Sequence, residues 1–296
     1  MSDYALISYA YQKTVRIYAA QTTALVEEAR SIHHTWPTAT AALGRVLTIS
    51  AMMGLMYKKG ERITVRIKGD GPIGPITVEA DGSGEVRGEI SNPEVYIKYN
   101  SGPNAGKLNV GAAVGQGFLF VTKDLNMREY FTSSSELQSG EIGDDFTYYF
   151  TLSDQVPSSV GVGVLVDVDQ SVLSAGGYIL QLMPNCDEHT ITDIEKIIAD
   201  IPPISTLIQE GKTPEDIIHL LANGTEEILD KKPLAYQCHC SKERFSRSLS
   251  TLDDQTLDEL INEDGHAEVE CHFCHKKYHY DKKDLIEIKQ TRKVKD

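Results

Sequence analysis

Four of the five cysteines fall near the C-terminal end of the chain, in two tight pairs. Cys238 and Cys240 stand in Gln237-Cys-His-Cys-Ser241, and Cys271 and Cys274 in Glu270-Cys-His-Phe-Cys-His275, with thirty residues between the pairs. Two close sulfur pairs joined by a spacer that folds back are what a tetrahedral zinc site requires, because each tight turn supplies two ligands. Thiolates are soft ligands, which makes zinc the first choice and iron the second. Cys-x-x-Cys is ordinary for zinc, whereas Cys-x-Cys is tighter than the usual ligand spacing. His239, His272, His275 and His279 crowd the pairs, and each could replace a sulfur. Four sulfurs already complete a tetrahedral site, so the histidines read as exposed turn residues. Cys271-His-Phe-Cys274-His275 also spells the haem-attachment pattern, but that reading leaves Cys238 and Cys240 without a role. A structural disulfide pair is the other alternative, and it requires an oxidising compartment.

The N-terminus argues against such a compartment. Met1-Ser-Asp-Tyr-Ala-Leu-Ile-Ser-Tyr-Ala10 has no basic region followed by an apolar run, so no signal peptide is expected. No stretch has the length of a membrane span. The expectation is a cytoplasmic protein with reduced thiols and no membrane partner. The 296 residues are enough for one sizeable core plus a small module. Net charge is −14, but residues 231–296 carry 13 Lys+Arg and 13 Asp+Glu, so the first 230 residues hold the whole excess. That acidic part would repel a phosphate backbone, and only Lys276 to Asp296 leans basic.

The elements that must position the cysteines follow from periodicity. Residues 4–22 are rich in aromatic and β-branched residues and read as strands. Thr23–His34 reads as a helix with Leu25, Val26, Ala29 and Ile32 on one face. Pro37 interrupts, and Thr38–Tyr57 reads as a second helix, apolar almost all round and therefore buried. From Glu61 to about Met183 the pattern is almost all strand, including Phe118–Thr122, Phe146–Leu152, Val160–Val168 and Gly177–Met183. Ser133-Ser-Ser135 and Asp144-Asp145 read as loop residues with no partner base. No phosphate loop and no Gly-x-Ser-x-Gly elbow is present. Cys186 has no close cysteine partner and reads as a thiol without a special role.

Residues 190–231 change character. Thr192-Asp-Ile-Glu195 reads as a capping box. Thr213-Pro-Glu-Asp216 reads as a second helix start, with Pro214 at the first helical position. Thr225–Leu229 offers one more turn. Helices this short are marginal alone and must dock on something. Beyond Pro233, Lys242–Leu249 and Asp254–Asn262 read as helices, with Gly265 as a stop. Tyr278 and Tyr280 suggest a strand, and Asp281 a cap for a last helix. The fold class is therefore α+β: a large N-terminal domain over 1–184 with β-sheets and two packed helices, a helical linker over 185–231, and a small C-terminal zinc module over 232–296.

A module of that size gains no more than ~3–5 kcal/mol from its own core. A structural zinc adds on the order of 10–16 kcal/mol. The module should fold with metal and unfold without it. Oxidation of the cysteines removes the ligands, so a switch is physically available. A zinc site that only holds a fold is at least as well supported by the spacing.

The two cysteine pairs occur together with Ser139-Gly-Glu-Ile-Gly-Asp-Asp-Phe-Thr-Tyr-Tyr149, Gln155-Val-Pro-Ser-Ser-Val160, Gly163-Val-Leu-Val166 and Ser174-Ala-Gly-Gly-Tyr-Ile-Leu-Gln-Leu-Met-Pro184. In these segments the chain resembles the redox-regulated heat-shock chaperones, the holdases of about thirty-three kilodaltons, over nearly its whole length and in the same order. The resemblance implies one Zn2+ per chain on Cys238, Cys240, Cys271 and Cys274 in a reduced, inactive state. It implies that oxidation forms the Cys238–Cys240 and Cys271–Cys274 disulfides, releases zinc and unfolds the C-terminal module and then the linker. The activated chain would form a homodimer and hold unfolded or aggregation-prone client proteins without ATP. Cys186 lies outside the metal set. The expected function is that of a chaperone with no enzymatic activity and no catalytic residue. Two other classes compete. A zinc-ribbon nucleic-acid-binding protein is suggested by the basic tail and opposed by the acidic first 230 residues. A metalloenzyme is opposed by four cysteines that leave no open position for water.

Overall fold

The computed structural model describes residues 2–292. The last four residues of the basic tail lie outside them. The chain divides into two compact units, Met1–Gln237 and Cys238–Asp296.

The first unit opens with an antiparallel pair, β1 (Tyr4–Ala10) and β2 (Val15–Gln21), as the alternating residues predict. Helix α1 (Thr23–His33) follows, and His34 ends it in the left-handed conformation. Helix α2 (Pro37–Gly54) starts on the proline expected to separate the two helices. Proline lacks only an N–H that a first helical position leaves unbonded anyway. Sixteen of the eighteen residues of α2 are buried. A helix that is apolar all round needs cover on every side, and α2 obtains it from two sheets.

One sheet is built from β3 (Arg62–Gly69), β4 (Ile76–Asp81), β5 (Glu85–Ile90), β6 (Gly117–Asp124) and β7 (Phe131–Glu136), with a short helix α3 (Val110–Val114) before β6. Helix α4 (Gly143–Leu152) leads into β8 (Ser158–Val166) and β9 (Val172–Leu182). Then come α5 (Glu188–Asp200), α6 (Ile204–Gln209), α7 (Pro214–Ala222), β10 (Glu227–Pro233) and β11 (Ala235–Tyr236). The sheets run β10-β1-β2-β9-β8 and β11-β5-β4-β3-β6-β7. Helix α2 packs on β8 and β9 of the first sheet and on β4 and β5 of the second, within one continuous core. On the five-stranded sheet, α6 packs on β8 and β9 and α7 on β1 and β2, forming a separate core around Ile17, Leu180, Ile204, Leu207, Ile217 and Leu221.

The α+β class is thus observed, with four local differences from the sequence reading. Phe146–Leu152 belongs to a helix, not a strand. The Asp145 carboxylate accepts the N–H groups of Gln138, Ser139, Gly140 and Ile142 at 2.7–3.2 Å, which fixes the helix start whatever the β-propensity of the aromatic residues. Ser133-Ser-Ser135 and Asp144-Asp145, read as loop residues, lie in β7, paired to β6, and in the first turn of α4. Helix α5 begins at Glu188 and is capped by Asp187, which accepts the Thr190 N–H at 2.9 Å, so Thr192 is interior. Residues 227–229 form strand with β1 rather than a helical turn. The helix start at Thr213 is observed, and there a capping box forms in which Thr213 and Asp216 each accept the other's N–H.

The second unit holds α8 (Lys242–Leu249), α9 (Asp254–Glu259), a wide turn of π-helix (Leu260–Asp264), β12 (His266–Glu270), β13 (Lys277–Asp281) and α10 (Lys282–Arg292). Gly265 stops the helical run at φ 70°, as expected. Asp281 caps the last helix by accepting the Asp284 N–H at 2.9 Å. The core is small: Ile261, Tyr278, Tyr280, Leu285 and Ile288.

Candidate metal centre

The two cysteine pairs are held by different pieces of backbone. Cys271 and Cys274 form the tip of the β12–β13 hairpin. The Cys271 N–H donates to Lys276 O at 3.0 Å, and the His275 N–H donates back to Cys271 O at 2.7 Å. His275 sits at φ 55°, the left-handed conformation that lets so tight a turn close. Cys238 and Cys240 lie on extended chain just before α8, where Ser241 caps the helix by accepting the Arg244 N–H at 3.2 Å. Two tyrosines of β13 tie this segment to the hairpin. The Tyr278 hydroxyl lies 3.0 Å from Cys240 O and 3.2 Å from Cys240 Sγ. The Tyr280 hydroxyl donates to Lys242 O at 2.7 Å.

The four sulfurs converge. Cys238 Sγ lies 3.6 Å from Cys271 Sγ, Cys240 Sγ lies 3.3 Å from Cys274 Sγ, and all four fall within 4.8 Å of one another. No disulfide joins them. The near contacts run between the two turns, as expected where both embrace one point. Sulfurs placed about 2.3 Å from a tetrahedral ion stand roughly 3.8 Å apart, so this donor set fits a four-thiolate metal centre. Among the described residues the group contains no histidine. His239, His272, His275 and His279 are all exposed. His275 Nδ1 lies 2.6 Å from Glu270 and His279 Nδ1 lies 3.1 Å from Glu268, both on the outside of the hairpin.

The thiols are electrostatically unequal. Burial pushes the Cys240 thiol up, but the Tyr278 hydroxyl and the neighbouring thiols outweigh it and bring it down to about 7. Burial pushes Cys271 and Cys274 up, and hydrogen bonding to the other sulfurs adds to the rise. The Tyr278 and Tyr280 hydroxyls are the contributors that the sequence reading did not assign. Both belong to β13, and the alternation that buries them is the available signal. Cys186 is not a member of the converging group and borders the core under α5–α7, with its N–H donating to Met183 O at 3.2 Å.

The fold and the four-sulfur site have counterparts among known proteins. Residues 3–281 match the family described as Hsp33 protein. The chain belongs to the Hsp33 family. The 33 kDa chaperonin of Acholeplasma laidlawii is 53% identical over 97% of this chain and 99% of its own length. That of Bacillus subtilis is 50% identical over 96% of this chain and 97% of its own. The crystal structure of the 33 kDa chaperonin of Thermotoga maritima, a heat shock protein 33 homologue, superposes with a TM-score of 0.89 at 33% identity, covering 100% of this chain and 99% of that one. The Hsp33 relatives carry a chaperone's name rather than an enzyme's. No helix among the described residues is long and apolar enough to cross a membrane.

Proposed function

We propose that this Hsp33-family chain is a redox-regulated, ATP-independent holdase of the cytoplasm, silent while its four thiols are reduced and zinc-bound. The observation that carries the reading is the convergence of Cys238, Cys240, Cys271 and Cys274, with all sulfurs within 4.8 Å, on a module whose own core is a small cluster around Ile261, Tyr278, Tyr280, Leu285 and Ile288. Zinc would join the two cysteine turns and supply on the order of 10–16 kcal/mol of folding free energy, against the ~3–5 kcal/mol such a core provides.

Oxidation acts on the same sulfurs. Each pair of thiolates gives two electrons to one peroxide, which takes two protons from solvent and becomes two waters as one S–S bond forms. Two peroxides therefore convert four thiols into two disulfides. The pairing follows the sequence neighbours, Cys238 with Cys240 and Cys271 with Cys274. A disulfide within either pair closes a short loop at less entropic cost than one that spans the thirty residues between the pairs. Sulfurs in disulfides are no longer thiolate ligands, so the protein releases zinc and residues 232–296 lose their main stabiliser.

The linker, residues 185–231, is poised to follow. Its helices span 13, 6 and 9 residues, near or below the length that is stable alone in water. They depend on the core they share with the five-stranded sheet. Releasing them uncovers Ile204, Leu207, Ile208, Ile217 and Leu221 and the sheet face beneath. That apolar surface is the kind that holds unfolded chains and joins two activated copies into a dimer.

The test combines disulfide mapping of peroxide-treated protein with light scattering of a heat-unfolding client, without ATP. The two local disulfides and suppression by the oxidised form alone are expected. A Cys238–Cys271 or Cys240–Cys274 disulfide contradicts the pairing, and equal suppression by the reduced zinc form contradicts the switch.

A further inference from the structure

The cysteine centre does not itself say where a client is held. A groove of about 850 Å3 runs along one end of the five-stranded sheet, wholly inside the first unit. One of its walls is Val162 to Val168, seven consecutive residues. A strand that turned its face to a groove would contribute every second residue. This strand therefore presents its backbone edge.

The edge is open. Strand β8 is the last of its sheet, with β9 on one side only. The Val160 N–H donates to Thr147 Oγ1 at 3.0 Å, away from β9. Antiparallel alternation then directs the N–H and C=O of Val162 and Val164 away from β9 as well. Among the described residues nothing hydrogen-bonds to these outward groups. A row of unmet donors and acceptors is a template for another extended chain.

The rest of the groove suits such a chain. Trp36 and Tyr96 line it with 45% and 51% of their surface exposed. Lys98 stands over the Tyr96 ring at 5.0 Å, and Lys107 reaches Asn104 at 3.1 Å. Neither lysine forms an ion pair among the described residues, so the groove offers two cations in a strongly acidic part of the molecule. The linker forms one border: a Cβ on Gly163 would lie 2.9 Å from Ser205 N at the start of α6. Loosening α6 would widen access to the edge.

We propose that the Val162–Val166 edge docks an unfolded polypeptide segment as a sixth strand. Its alternate apolar side chains would meet Trp36 and Tyr96, and an acidic residue would face Lys98 and Lys107. The inference rests on the holdase reading and adds the place of binding. Main-chain hydrogen bonds are indifferent to sequence, which suits a holder of many clients.

The test uses the whole chain, oxidised, with reduced and carboxymethylated α-lactalbumin as a permanently unfolded, acidic probe. Val162→Pro removes one outward N–H and no ladder bond, so the sheet should tolerate it. Binding at least tenfold weaker than wild type is expected, with zinc content, peroxide-driven zinc release and thermal midpoint unchanged. Val162→Ile keeps the N–H and should bind as wild type does. Hydrogen exchange on the wild-type protein is the independent readout: the Val162 and Val164 amides should slow when the probe is bound, however the proline variant folds. Binding by wild type with no slowing at these amides overturns the edge and leaves the holdase reading intact. No binding by oxidised wild type overturns the holdase reading, and the edge with it.

Discussion

Tyr278 shows what a single residue does at the centre. Its hydroxyl reaches both the carbonyl and the sulfur of Cys240, so it orients one ligand and steadies its negative charge. Removing such a partner of a metal ligand typically lowers metal affinity about 10–100-fold. Tyr278→Phe should therefore bind zinc about tenfold more weakly in a chelator competition while leaving the hairpin folded. Glu141 is a comparable residue in the first unit. It pairs with Arg45 and accepts the Tyr99 hydroxyl at 2.8 Å and the Gly111 N–H at 2.9 Å. Burial pushes its carboxyl up, but Arg45 and these donors outweigh it and hold it below the ordinary range. A carboxyl lowered in the folded state stabilises above its unfolded value, about 4.3, and that contribution is lost as pH falls through the folded value. Glu141→Gln should lower stability by about 2 kcal/mol at neutral pH. It should also flatten the acid side of a stability-versus-pH curve measured by denaturant unfolding. The four cysteines that converge were legible in the sequence because their chemistry and spacing are local. The Tyr278 and Arg45–Glu141 contacts were not, because they join residues 38 and 96 positions apart.

At the scale of elements, docking of α6 is the step most open to test. Its seat on β8 is Gly163, where an added Cβ would stand 2.8 Å from Ser205 Oγ and 2.9 Å from Ser205 N. Overpacking of this kind costs about 1–3 kcal/mol. Gly163→Ala should loosen α6, speed hydrogen exchange of its amides, and raise aggregation suppression by the reduced protein. Unchanged exchange in α6 would remove the linker's docking from the account. Helices with a clean periodic face or a proline start were readable, as with α1, α2 and α7. Helix α4 was not, since Phe146-Thr-Tyr-Tyr-Phe150 carries strand-forming residues and the helix is imposed by the Asp145 carboxylate and by packing on β8. Strand β10 was not either, because its partner β1 lies more than two hundred residues away, with Tyr9 opposite Glu227.

For the whole molecule, stability should come in two parts. The first unit has an extensive core of its own, whereas the second relies on a small cluster around Ile261, Tyr278, Tyr280, Leu285 and Ile288 and on its four sulfurs. Chelating the zinc should melt Cys238–Asp296 selectively, seen as collapse of exchange protection in β12, β13 and α8, while α2 stays protected. Loss of protection in α2 at the same chelator concentration would show that the units do not fold independently. The α+β class and the existence of a small cysteine module could be read from the sequence. The order of strands within each sheet could not, since β9 between β2 and β8 is set by long-range packing rather than by local pattern. The central claim is that thiol oxidation, zinc release and client holding are one event. It is tested most directly by adding peroxide at heat-shock temperature to reduced, zinc-loaded protein. Free thiols, released zinc and light scattering of an unfolding client are followed in one sample. The account predicts that zinc appears as four thiols disappear, and that scattering falls on the same time course. Zinc that stays bound under peroxide, or zinc release that leaves scattering unchanged, would contradict it.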